Sequence, residues 1–332
     1  YAPDASRPLP LFEATAQYVV GSADRDYFIN QRGEKGLLFG ENEFDSTTLS
    51  IYAGFNIPLT ERLTVSPAIA YSYASRENED VFSGDRPRYR ATDNVYLSSL
   101  AFVDTSYDRS YQEWTPSLAL SYELMRNQSV FAAVSRSFEP PTQDDLIAAI
   151  QGSPNSSPGT NQGTTPPLPA AAIFSTPNLD AQTATTLEGG WKGSTHAIAW
   201  SAIAYYSWVE DELLNLRDET GNSLGAVNAD KTTHFGIELG AAFDITSNIS
   251  GRAAYTYQDF RFDGDVNYGD NRLAGAPRHV VNAALRYTFV PGLWVEAEVN
   301  WLPDETPVDN ANTLYNDGYT LVDLRSSYEI TD

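Results

Sequence analysis

Between Lys231 and Phe262 the chain alternates apolar and polar positions with a period of two. Phe235, Ile237, Leu239, Ala241 and Phe243 share one parity, and His234, Gly236, Glu238 and Gly240 share the other. That spacing puts every apolar group on one face of a β-strand. After Thr246-Ser247-Asn248 the pattern resumes, with Ala253, Tyr255 and Tyr257 set against Arg252, Thr256 and Gln258. The pair predicts a hairpin whose arms are longer than ordinary globular strands and match the roughly 9–11 residues that cross a bilayer at a tilt.

The same signature recurs along the chain. Leu49, Ile51, Ala53, Phe55 and Ile57 alternate with Ser50, Tyr52, Gly54 and Asn56. A tight turn at Pro58–Glu61 leads to a return arm with Leu63, Val65, Ile69, Tyr71 and Tyr73. Further arms begin at Leu118, Ser129, Leu187, Ala197, Val281, Val295 and Val322, and an earlier one lies near Phe12–Val20. The arm Ala197–Trp208 is apolar on both parities, so its outward face is left open. About twelve arms are visible, joined by connections of two kinds. About five are turns of a few residues, near 58–61, 126–128, 193–195, 246–248 and 291–292. About six are polar stretches of fourteen residues or more, including the regions up to Asp45, Ser75–Tyr111, Glu139–Gln182, Glu210–Asp230, Asp263–Pro277 and Pro303–Gly318. Within Ser75–Tyr111, Val95–Val103 reads as a continuation of strand above a membrane, and the Pro-rich residues 1–10 read as loop.

Strict alternation of short and long connections is the layout of an outer-membrane meander, with short periplasmic turns and long extracellular loops. A soluble sandwich or propeller has no reason to sort its loops by end. The predicted fold is therefore all-β: a transmembrane antiparallel barrel, partial, in one domain spanning residues 1–332. The chain opens at Tyr1 without an initiator Met or a signal peptide and stops at Thr331-Asp332 just after a strand-like run, so it reads as an internal piece. Twelve arms that do not close alone would leave two edges with unpaired backbone groups, one near the N-terminus and one at Tyr319–Ile330.

Composition agrees with this. Fifteen Phe, 20 Tyr and 6 Trp accompany a mean hydropathy of -0.36, the balance of strands with one lipid face and one wet face. There is no Cys, which removes disulfides and thiol chemistry. The formal charge of -23 argues against nucleic acid, whose phosphates need clustered Lys and Arg.

Four stretches resemble the barrel signatures of TonB-dependent outer-membrane receptors. They are Val134-Ser135-Arg136-Ser137-Phe138-Glu139-Pro140-Pro141-Thr142; Asn178-Leu179-Asp180 with Thr185–Lys192; Val227–Thr232 with Gly236-Ile237-Glu238; and Asn271–His279 with Gly318–Leu324 behind it. Each is weak alone, but their order and spacing are specific, most firmly from about residue 112 onward. The resemblance implies a barrel of 22 strands in the outer membrane of a Gram-negative bacterium. It also implies an N-terminal plug, energy coupling through the protein TonB, and active uptake of a ferric siderophore or a similar scarce chelate. This chain departs from that plan in lacking a plug, a TonB-contacting segment, and the first and last strands. A passive porin or adhesin barrel, and a barrel enzyme, are the competing readings.

Site chemistry is thinner. His196, His234 and His279 lie dozens of positions apart with no ligand spacing, so no metal site is expected; no catalytic set is expected either, since no Gly-x-Ser-x-Gly elbow supports a nucleophile. No cofactor is implied. Arg86, Arg88 and Arg90, with Tyr89, form the best candidate for gripping an anionic chelate at the extracellular mouth through charge-assisted hydrogen bonds. Pairing with loop carboxylates is the plainer account of the same cluster. Arg272 and Arg278 are expected to line the mouth or lumen, where the plug would also touch them. The expected partners are thus membrane lipid, the plug, TonB and a small chelate.

Overall fold

A computed structural model describes residues 11–83, 86–90, 95–100, 104–147, 149–150, 153–154, 176–217 and 223–330. Twelve long strands follow one another in chain order: β1 (Phe12–Gln31), β2 (Glu34–Phe55), β3 (Leu63–Asp80), β4 (Tyr107–Met125), β5 (Gln128–Glu139) and β6 (Gln182–Ser194). The series continues with β7 (Ile198–Arg217), β8 (Ser223–Asp244), β9 (Ile249–Phe262), β10 (His279–Val290), β11 (Leu293–Leu302) and β12 (Tyr319–Tyr328). Each pairs antiparallel with its sequence neighbours in a single sheet, an up-and-down meander with β1 and β12 at its two ends. Among the described residues those two edges do not meet, so the barrel is open. The expected edge at Tyr319–Ile330 is real: every residue of β12 is exposed.

Alternation in β4 shows how the sequence sets the two faces. From Asp108 to Tyr122 exposed and half-buried residues alternate without a break; Trp114, Leu118, Leu120 and Tyr122 point outward, and Arg109, Tyr111, Glu113, Ser117 and Ser121 point inward. The outward row continues across the sheet, since Leu118 lies opposite Pro67 of β3 and Val134 of β5. In β8 the predicted parity holds, with Leu239 exposed and Thr232 buried. The arm left open by the sequence resolves through its neighbours. Tyr206 and Trp208 pair with Phe235 and Thr233 and face outward, while Tyr205 and Ser207 pair with Gly236 and His234 and face inward. Gly236 belongs there because Tyr205 lies over it; a Cβ at that position would overlap the tyrosine ring.

Two of the expected long loops are strand instead. The polar stretch up to Asp45 is a hairpin that carries β1 and β2 to a two-residue turn at Arg32-Gly33, both with positive φ (55° and 93°). That is the conformation of the hairpin turn that suits strand twist, and the Asn30 side chain caps it by accepting from Gly33 N at 2.7 Å. Likewise β7 and β8 run on through most of Glu210–Asp230, reaching Arg217 and Ser223. Polar composition marks these segments as leaving the lipid, but it does not forbid pairing, and a hairpin satisfies its own backbone groups in water. The expected continuation at Val95–Val103 is also corrected: Val95–Leu100 pairs with Arg86–Arg90 as a separate hairpin beside β1 and β2, and 101–103 lie outside the described residues. Residues 1–10, read as loop, lie outside them too.

Candidate functional site: the inward face

Because alternation sends apolar groups outward, the chemistry collects on the inward face, and it does so in three places. At the long-loop end, the segment after β5 turns back across the inward ends of β1 to β4. The Gln143 side chain donates to the backbone oxygens of Asp45 and Glu77 at 3.0 and 3.1 Å and accepts from the Tyr107 hydroxyl at 2.7 Å. Asp144 pairs with Arg25 of β1. Asp145 accepts from the backbone N and hydroxyl of Thr142 at 2.8 and 2.6 Å, which rigidifies the crossing. Leu146 is then fully buried with Tyr107, Leu179 and Ala226, and Leu213 packs on them. The far end of the long Glu139–Gln182 region is fixed as well: Asn228 donates to the Asp180 and Asp211 backbone oxygens at 3.0 and 2.7 Å.

Beside this crossing, Arg76 of β3 and Arg109 of β4 stand directly opposite one another on the inward face. Opposed like charges destabilise a sheet. Arg76 spends its donors on backbone oxygens and Thr48, the Arg109 Nε is buried without a hydrogen bond, and neither guanidinium makes an ion pair among the described residues. The Tyr111 hydroxyl, on the same face, donates to Leu179 O at 3.2 Å.

A second cluster lies on β7 to β9. Asp211 takes a left-handed conformation (φ 56°), which breaks the alternation and brings Glu212 round to the inward face. There Glu212 accepts from Thr232 and lies 3.2 Å from the His234 ring, which stacks on Phe260 with centroids 4.3 Å apart. Phe262, Leu273 and Ala229 bury one another just above.

Toward the short-turn end a third group links β9 to β12. Glu296, its side chain only 4 % exposed, accepts from Arg252 at 3.0 and 3.1 Å and from Arg286 at 2.9 and 3.0 Å. Glu298 bridges Arg252 and Arg325 at 3.0 Å each. Charged groups that would be costly in lipid are thus paired and turned inward. The alternation already placed Arg252 on the wet parity; which residues meet across four strands depends on register, which the sequence did not show.

The sequence-predicted residues fall elsewhere. Arg86, Arg88, Tyr89 and Arg90 form a strand whose side chains lie outside the described residues. Arg272 and Arg278 stand at the long-loop end but on the outward face. Arg272 bridges Arg261 of β9, which opposes Thr233 on the outward parity, and Arg278 lies 3.8 Å from Asp259, which opposes Phe235. His234 is inward and His279 outward, where it meets Tyr255, Tyr257 and Asp304. The described residues hold no group of three or more His, Asp or Glu able to hold a metal ion.

This arrangement has a counterpart among known proteins. The family model of the TonB-dependent receptor-like β-barrel matches residues 10–332. The chain belongs to that family. Its relatives include the vitamin B12 transporter BtuB of Photobacterium profundum, 24 % identical over 266 residues, which cover 79 % of this chain and 38 % of that protein. Among solved structures, the ferric yersiniabactin uptake receptor FyuA of Yersinia pestis superposes with a TM-score of 0.65 at 16 % identity, over 96 % of this chain and 43 % of that one. The copper transporter OprC gives a TM-score of 0.71 at 14 % identity, over 98 % and 47 %. These structural likenesses speak for the fold. The chain spans less than half the length of these relatives. As a TonB-dependent receptor barrel the chain is an outer-membrane protein; the family's members are receptors and transporters, which use a plug domain, TonB and small chelate ligands.

Proposed function

We propose that this receptor barrel takes up a ferric siderophore or a similar scarce chelate, with energy coupled through TonB and a plug seated against the inward face. The observation that carries the reading is the placing of Arg76 and Arg109 opposite one another across β3 and β4 at the mouth, neither in an ion pair among the described residues. Such a pair is costly alone and is relieved by an anionic ligand, which a bidentate guanidinium suits. Arg86, Arg88, Tyr89 and Arg90 sit on the hairpin next to β1 and β2 and would add to the same grip from the loop side. The ion network around Glu296 is the surface on which a plug would rest. Relatives named for ferric yersiniabactin, ferric citrate and vitamin B12 favour active uptake over a passive porin or adhesin.

The test is uptake of ferric citrate and ferric yersiniabactin, each labelled with radioactive iron, by iron-starved cells carrying the receptor, with and without TonB. Uptake that disappears without TonB and falls at least tenfold in Arg76→Gln/Arg109→Gln supports the reading. Entry that continues unchanged without TonB would mean a passive pore.

A further inference from the structure

The outward face carries a second group of arginines, and its height on the barrel identifies what it meets. On β8 the outward apolar run extends from Phe243 to Phe235. Eight residues at about 3.3 Å each, tilted by about 40°, rise about 20 Å, most of the roughly 25 Å apolar band of such barrels. The upper margin is marked by Tyr206 and Trp208, whose rings lie 4.6 Å apart, and by Tyr255 and Tyr257 packed around His279. Aromatic rings with polar edges collect at that depth in a bilayer. Arg261 lies opposite Thr233, two residues beyond Phe235. Its Cα is therefore about 5 Å above the end of the apolar run, at the level of lipid headgroups.

Arg261 does not stand there alone. Arg272 pairs with it across an isolated bridge, and Arg278 completes the group. Among the described residues one carboxylate makes ion-pair contact with the three: Asp259 holds Arg261 Nε at 2.9 Å, with its other oxygen 3.8 Å from Arg278, while Arg261 also donates to Asp270 O at 3.3 Å and feels the Asp270 charge. Arg272 has only the carbonyl of Ala276, at 3.0 Å, and the Arg278 Nε is buried without a partner. The other nearby acids make no ion pair with the three among the described residues. Asp265 and Asp270 accept from backbone N–H groups of their own loop, Asp309 does so in the next loop, and Asp304 faces His279. Lys231, on the same outward parity, lies opposite Glu210. Burial and the neighbouring Arg278 both disfavour the charge on Arg272, so the cluster stores repulsion that a bound anion would relieve. In a chain of net charge -23, three guanidiniums with one carboxylate in ion-pair contact among the described residues are a local exception.

We infer that Arg261, Arg272 and Arg278 form a binding site for a phosphate group of the outer-leaflet glycolipid. The geometry supplies the donors, and the aromatic margin below supplies a seat for the acyl chains and sugar rings. Arg261 is partly spent on Asp259, so Arg272 and Arg278 provide most of the unspent hydrogen-bonding capacity. The site depends only on the outward placement of these residues and holds whatever the receptor's cargo is.

The test uses the receptor purified in detergent and titrated with bisphosphorylated lipid A, its fully dephosphorylated form and inorganic phosphate, with binding read by native mass spectrometry. Bisphosphorylated lipid A should bind at least tenfold more tightly than the dephosphorylated form. Arg272→Gln/Arg278→Gln should erase most of that preference, and Arg272→Lys/Arg278→Lys, which keeps the charge and guards against a folding defect, should retain part of it. Added salt should weaken binding to the wild type and barely affect the Gln variant. An unchanged preference in the Gln variant overturns the inference. So does inorganic phosphate binding as tightly as lipid A, which would make this a simple anion site.

Discussion

Leu118→Arg tests the two-faced barrel most directly. Leu118 is 41 % exposed on the outward face of β4, four residues from Trp114 and four from Tyr122. Four residues rise about 13 Å along the strand and about 10 Å along the membrane normal, so Leu118 lies near the middle of the apolar band. A guanidinium there can snorkel only part of the way to water. The expected cost is about 2–4 kcal/mol, and Leu239→Arg, at the corresponding place on β8, should cost about the same. The matched control is Ser117→Arg, one residue away on the inward face among polar groups, where the cost should stay below about 1 kcal/mol. Equilibrium unfolding of the receptor in lipid vesicles, followed by tryptophan fluorescence, gives both numbers. Equal costs at Leu118 and Ser117 would refute the assignment of faces, since only the direction of the side chain separates the two positions.

Protease added to intact cells carrying the receptor should cut within 140–181 and spare the turns at Asn248 and Gly292, and cleavage at those turns would invert the orientation. Gly236→Ala should destabilise by about 1–3 kcal/mol in the same unfolding assay, because the new methyl must displace the Tyr205 ring, and Tyr205→Ala should remove most of that penalty. Asp309 feels burial, which raises its pKa, but accepts from the backbone N of Leu314 and from Thr313, and these bonds hold its carboxyl below the usual range. A depressed carboxyl contributes stability that is present above the unfolded value of about 3.9 and is lost as pH falls through the lower folded value. Protection factors in the 303–318 loop, corrected for the intrinsic pH dependence of exchange, should therefore fall only below about pH 4, and Asp309→Asn should give the lower protection already at neutral pH.

What the sequence determined was periodic and local. Period-two alternation named the outward residues of β2 and β8, since each strand must bury its apolar parity in lipid whatever its neighbours are. Turn residues such as Pro291-Gly292 and the segregation of loop lengths gave the meander and its orientation. Strand ends beyond the membrane were not legible: around Asp24–Arg32 and Glu210–Asp230 the apolar residues, such as Tyr27-Phe28-Ile29 and Leu213-Leu214, fall on both parities among polar ones, so no period-two pattern distinguishes a hairpin there from a loop. The inward chemistry was legible only in part. Alternation put Arg252 on the wet side, yet its meeting with Glu296 and Glu298, and theirs with Arg325, follows from the register of four strands. The Arg76–Arg109 pair, the reach of Gln143 to β2, β3 and β4, and the turning of Arg272 outward likewise arise between residues tens of positions apart. Pairing across a sheet is a long-range choice made by every strand at once, so only the tertiary structure decides which charges meet and which side of the wall they face.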